Sequence, residues 1–269
     1  GNVQMCLPGV TVLASYDKEF GVVDLPFLFE SEEAIFNAMD GEVGAYLNKK
    51  IDKLGLVNFG YNYNGPRCIS NNVRPITQPD DLKGVKIRVP QSPVFIDTFK
   101  ALGANATPMG FGEVFTALQQ GTVDGQENAP SLVYASKFNE VQKYFSLTNH
   151  SFGLMAVLMS QDFVNKMPED LRAIMVKGID EYLIKYQRNL EQSETNDYIQ
   201  KLKDSGMEVN AITPENHKKF VEAVQSVYTK NIPKPISQEL FDMAIKYNTS
   251  KSPLCGRNLL GSGRLSKNW

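Results

Sequence analysis

Cysteine, histidine and tryptophan are scarce in this chain of 269 residues, at three, two and one. Cys6, Cys68 and Cys255 are odd in number and show no Cys-x-x-Cys spacing, which argues against a disulfide framework and a zinc site and leaves the redox compartment undecided. With only His150 and His217, His-based triads and multi-histidine metal sites are all but excluded by counting. Long apolar runs are missing too: the best, residues 153–159, is strand-sized, far short of the roughly 18 to 20 residues of a membrane helix. Neither sign of charge dominates, with Lys+Arg 28, Asp+Glu 30 and a net charge of -2, so nothing electrostatic points to nucleic acid or an anionic membrane. No basic-apolar leader opens the chain and its first residue is Gly1, so a leader was removed, omitted or never present, and export stays open. What remains, 42% hydrophobic and 22% charged residues, suits one large or two medium globular domains.

Short β-like runs alternate with helical patterns through the first half. Residues 10–14 read as a strand, and Ser31 caps a helix with apolar positions at Ile35, Met39, Val43, Leu47, Ile51 and Leu54, ended by Gly55. Residues 56–59 and 67–70 read as two strands separated by a turn cluster at 62–65. In 85–89, Val85, Ile87 and Val89 alternate with Lys86 and Arg88 before Pro90. Ser92-Pro93 starts a helix closed by Gly103, 104–108 is a strand, 113–120 a helix, and 123–125 a strand and turn. This is a βαβαβ unit, for which a parallel sheet follows, with ligands expected at the carboxyl ends of its strands, near Pro90 and Gln126-Glu127-Asn128. Residues 168–206 read as one long helix whose middle, 191–197, is polar on every face, as in a strut between two packed lobes. Helices at 213–228 and from Ser237 to about 247 follow, and the chain from Thr249 on has no periodicity.

Few residues suit catalysis. His217 falls on a polar helix face and His150 reads most plainly as a loop histidine. The glycines of 110–112 and 256–261 fail the dinucleotide and phosphate-loop patterns at their defining positions. Asp124 and Glu127 are a candidate acid/base pair, though capping or a salt bridge is the plainer role. Arg88 stands apart as a charge on a strand of a covered sheet, where a guanidinium needs an anion: a ligand carboxylate, or a protein acid such as Asp97 or Glu127. Arg67 after Gly65-Pro66, the Asn128 amide and the Phe111 ring are weaker candidates for the same crevice.

Several stretches together resemble one family. Asp24-Leu25-Pro26-Phe27-Leu28-Phe29, the run from Asp80 to Pro90, Ala101-Leu102-Gly103-Ala104-Asn105, the run from Glu113 to Gly121, Val123-Asp124-Gly125-Gln126-Glu127-Asn128 and Val141-Gln142-Lys143-Tyr144 occur in the order and spacing of the substrate-binding proteins of tripartite ATP-independent periplasmic (TRAP) transporters, dicarboxylate-binding type. The resemblance covers residue 1 to about 247. It implies an α/β, two-lobed periplasmic binding protein of type II-like architecture, with a hinge and a long helix spanning both lobes. It implies ligand contacts at Arg88, which meets the carboxylate, and at Arg67, Asn128 and Phe111, with no metal, no cofactor and no catalytic residue.

Lobe I is expected at 1–65 and 154–193, lobe II at 66–153 and 194–247, and a tail at 248–269. Relative to the family, the chain begins inside lobe I, so an opening strand–helix–strand unit is expected to be missing. The expected function is extracytoplasmic capture of a small organic acid, dicarboxylate or sugar acid, by a monomer that hands it to the membrane permease subunits and binds no nucleic acid. The rivals are a carboxylate-handling enzyme using Asp124 and Glu127, and a ligand-sensing domain.

Overall fold

The computed structural model describes residues 2–248; Cys255 and the expected tail, apart from Asn248, lie outside them. Seven strands form one mixed sheet: β1 (Met5–Cys6), β2 (Leu56–Asn71), β3 (Lys86–Val89), β4 (Asn105–Pro108), β5 (Gly125–Asn128), β6 (Tyr144–Ser160) and β7 (Glu208–Ala211), in the order β1-β6-β2-β5-β3-β4 with β7 beside β6. The expected parallel unit is there, β3 pairing in parallel with both β4 and β5, because helices Pro93–Ala101 and Val114–Gln119 return the chain to the same sheet edge.

The expected turn at 62–65 is instead the middle of a single long strand. β2 and β6 pair antiparallel throughout, with register shifts between Asn58 and Tyr61, Tyr63 and Pro66, and Arg67 and Ile69. Gly60 at φ +141 and Gly65 at φ +82 supply backbone that other residues adopt poorly, so the turn-forming residues make bulges. Gly65 also has no room for a side chain, since a Cβ would lie 2.6 Å from the Ala129 Cβ.

Two other expectations are corrected. Residues 10–14 hold a short helix, Val10–Leu13, whose Val10 and Leu13 face inward one turn apart. The helix after Ser31 breaks at Gly41 into Glu32–Asp40 and Glu42–Asp52, because the Tyr247 hydroxyl comes in to accept the Glu42 N–H at 3.0 Å. The long helix is continuous over 169–204, with a π-helical stretch at Ile179–Tyr186.

Strand alternation divides the core between the two faces of the sheet. Leu154, Ala156 and Leu158 of β6 join the larger core with Tyr61, Tyr63, Ile87, Phe95 and Phe99, whereas Val157 and Met159 pack on Ile179 and Ile184 of the long helix. On that second face Phe145 and Cys68 pack with Val114, Phe138 and Leu202. The long helix is tied to β2 where β2 has only β6 beside it: Gln187 exchanges hydrogen bonds with the Tyr63 N–H (2.9 Å) and carbonyl (2.5 Å), and Arg188 donates to the Tyr61 carbonyl and pairs with Asp40 at 2.7 Å. Farther along, the Ser131 hydroxyl donates to Glu191 and Leu202 enters the second-face core, so one helix touches both ends of the long strand pair.

Candidate functional site

β5 reads Gly-Gln-Glu-Asn and all four residues are buried, an unusual load of polar side chains for a strand with neighbours on both sides. Alternation sends Glu127 to one face and Gln126 and Asn128 to the other.

On the first face Glu127 is enclosed by donors. Arg67 grips it bidentately, Nε to Oε2 and Nη2 to Oε1 both at 2.6 Å, with a further bond to the Glu127 carbonyl at 3.1 Å. His150 Nε2 lies 3.1 Å from Oε2, and its Nδ1 lies 2.9 Å from the Thr148 hydroxyl. An ionised carboxylate only accepts, so Nε2 carries the proton. Phe95 stacks beneath the Arg67 guanidinium at 5.1 Å and Phe99 packs edge-on to His150 at 5.4 Å. Burial pushes the Glu127 carboxyl up, but the Arg67 charge and the His150 and Arg67 hydrogen bonds outweigh it and hold the group below its ordinary value. Nearby, Asp24 accepts from the Thr11 and Ser92 hydroxyls, each at 2.8 Å, and burial drives its pKa up to about 7 against those bonds. Ser92 thus spends its hydroxyl on Asp24 rather than capping the helix that follows it.

On the second face Arg88 is 4% exposed, and its Nε and Nη2 both donate to the Met109 carbonyl, at 3.0 and 2.6 Å. Neither protein acid proposed from sequence pairs with it: Glu127 is held by Arg67, and Asp97 pairs with Lys230 at 2.6 Å. Among the described residues no carboxylate lies within ion-pair distance of Arg88. Burial accordingly brings its pKa down to about 10. The Phe111 ring lies 5.9 Å from this guanidinium and is itself 45% exposed. Gln126 is the β-ladder partner of Arg88, and the Asn128 amide donates to Gln126 Oε1 at 2.7 Å.

The four residues expected from sequence therefore fall into two groups. Arg88, Phe111 and Asn128 share one face of the sheet, and Arg67 is committed to Glu127 on the other. Asp124 and Glu127 do not form a pair, since Asp124 accepts the Lys86 backbone N–H at 2.8 Å and Glu127 answers Arg67. His150 is a buried strand residue on β6 rather than a loop histidine, and His217 packs half-buried against Phe27 at 5.0 Å. Sequence reasoning also left out Gln126, Ser70, Gln142 and Asp24 as site-building residues; an all-polar segment between two strands was the signal available for the first. Cys6 and Cys68 are unpaired thiols, exposed and buried respectively, and no metal-holding cluster occurs among the described residues.

Comparison with known proteins decides the family. The bacterial extracellular solute-binding protein family 7, DctP, matches residues 1–234. The chain belongs to this family. Among curated DctP relatives, the 2,3-diketo-L-gulonate-binding periplasmic protein YiaO of Escherichia coli K12 is 34% identical over 237 residues, covering 87% of this chain and 71% of the relative. Among solved DctP structures, the sugar acid binding protein DctPAm of Advenella mimigardefordensis, in complex with galactonate, superposes with a TM-score of 0.87 at 35% identity, over 92% of this chain and 81% of the other. A TRAP periplasmic solute-binding protein of Sulfurospirillum deleyianum with bound succinate gives 0.86 at 34% identity, over 91% and 80%. The fold is the two-lobed α/β architecture of these TRAP solute-binding proteins, and the DctP family is one of extracellular solute carriers rather than of enzymes.

Proposed function

We propose that this DctP-family protein captures a small organic acid, a dicarboxylate or a sugar acid, outside the cytoplasm and delivers it to TRAP permease subunits as a monomer, without chemistry. The observation that carries the reading is Arg88, a buried guanidinium without a carboxylate partner, held by one backbone carbonyl. Such a group costs stability until an anion answers it, so a ligand carboxylate gains what the fold withholds. The ligands named for the relatives, galactonate, succinate and diketogulonate, all carry carboxylates.

In this reading the carboxylate meets Arg88 first, Asn128 adds a hydrogen bond and Phe111 walls the site, while Arg67 stays with Glu127 on the opposite face of the sheet. Lobe I comprises 1–65 and 154–193 and lobe II 66–153 and 194–247, with the bulged middle of β2 and β6 as the hinge; the named contacts belong to lobe II, and lobe I closes over them.

A thermal-shift screen of galactonate, galacturonate, 2,3-diketogulonate and succinate tests this. A ligand at a hundred times its Kd adds roughly 2.7 kcal/mol and raises Tm by about 5 to 10 °C, a shift expected to vanish in Arg88→Ala. A cooperative melt that none of the acids moves overturns the reading, as does an acid consumed on incubation in a manner that Glu127→Gln abolishes.

A further inference from the structure

We propose that Gln142, Ser70 and Gln126 are positioning residues that fix which way the Asn128 amide faces. The inference rests on the carrier reading for its purpose, but its geometry stands alone. Amide oxygen and nitrogen are interchangeable in shape, so an isolated Asn has two orientations, and something must select one. Here the selection starts two strands away. Gln142, just before β6 and 5% exposed, points its Nε2 at two backbone carbonyls, Asp124 at 3.3 Å and Val141 at 3.2 Å. Carbonyls only accept, so the NH2 end must face them and Oε1 must face away.

Each next step then has one solution. Gln142 Oε1 accepts from the Ser70 hydroxyl at 3.0 Å, which spends the only proton Ser70 has. Ser70 Oγ can then only accept, and Gln126 Nε2 donates to it at 2.9 Å. That turns Gln126 Oε1 toward Asn128, whose Nδ2 donates at 2.7 Å. The strand register makes the chain possible, since Ser70 pairs with Gln126 across β2 and β5, and Gln126 pairs with Arg88 across β5 and β3.

All four residues are buried, Ser70 and Gln126 completely, so no water competes for these bonds. A reversed chain would set both N–H groups of Asn128 free. The observed one ties up one N–H and leaves a single N–H and Oδ1 beside the Arg88 side of the sheet.

The test is nitrogen-15 NMR of side-chain amides together with calorimetry, on the full chain. In the ligand-free wild type, one Asn128 Nδ2 proton and the Gln126 and Gln142 Nε2 protons are expected to exchange slowly. Gln142→Met, close in shape but without the anchor, and Ser70→Ala should each speed exchange at Asn128, shift its resonances, and weaken binding of galactonate or succinate roughly fivefold. Fast exchange at Asn128 in the wild type overturns the proposal without any variant, and so does an unchanged Asn128 signal in a folded Gln142→Met. If the wild type binds neither acid while Asn128 is protected and responds to Gln142→Met, the relay stands and the carrier reading is what fails.

Discussion

Arg67 and Arg88 lie on opposite faces of the same sheet, separated by β5 and both buried, yet their charges are handled oppositely. Arg67 meets a carboxylate through two short hydrogen bonds, with His150 and an aromatic ring completing its surroundings. Arg88 meets a backbone carbonyl and lies over the ring of an exposed phenylalanine, Phe111. The difference teaches how to tell a structural ion from a functional one: burial alone marks neither, whereas the presence or absence of a counter-charge separates them. Interior charge that is answered holds the fold together. Interior charge left without an acid is a standing affinity for anions, maintained at some cost by the well-packed strands around it.

Breaking the answered side should have the largest effect. Arg67→Leu leaves Glu127 buried with His150 alone, and removing one partner of such a pair costs about 3 to 5 kcal/mol. Urea or thermal unfolding of the ligand-free protein measures it, and a loss below about 1 kcal/mol would remove Arg67 from the structural role assigned to it here.

Asp24, beside the same cluster, gives a pH signature whose sign is opposite to that of an ordinary ion-paired acid. Its folded pKa of about 7 lies above the ordinary 3.8, so between those values the unfolded chain has released a proton that the folded chain still holds. Its contribution is therefore greatest below pH 4 and falls as pH rises to about 7, by on the order of 4 kcal/mol at most. Stability curves of wild type and Asp24→Asn should converge at low pH and separate toward pH 8, the wild type losing more; parallel curves would show that Asp24 does not titrate there.

The unanswered side should respond in binding rather than in stability. Arg88→Lys keeps a charge but loses the planar fork, and at least tenfold weaker acid binding is expected by calorimetry. Arg88→Met should leave the ligand-free protein as stable as before or more so, because no ion pair is lost; a large drop in Tm would make Arg88 structural after all. Smallest of all, Phe111→Ala should weaken binding a fewfold with little change in melting, since its ring is already half in solvent.

Much of this arrangement was legible in the chain itself. The alternation of Val85, Ile87 and Val89 with Lys86 and Arg88 located a strand and its odd charge, and the Gly and Pro punctuation located helices Pro93–Ala101 and Val114–Gln119. The polar stretch at 191–197 marked a helix that runs largely along the surface while its ends pack. The failures share a cause. Residues 62–65 look like a turn, but both flanks pair with one continuous β6, and long-range pairing overrides local turn chemistry. Residues 10–14 look like a strand, yet the four residues Val10–Leu13 coil once to bury two of their apolar side chains. His150 looked like a loop residue because its charged partner is remote in sequence: Glu127 lies 23 positions away.

By itself, then, the sequence determined the elements of the parallel unit and the presence of a guanidinium on a covered strand, because these follow from local spacing, and its motifs carried the resemblance to the family. Only the tertiary structure decided which arginine is paired, which way the Asn128 amide turns, and that Asp24 keeps its proton to near pH 7. Those outcomes depend on distances between residues remote in the chain and on the exclusion of water from the space between them, and neither is written in any short window of residues.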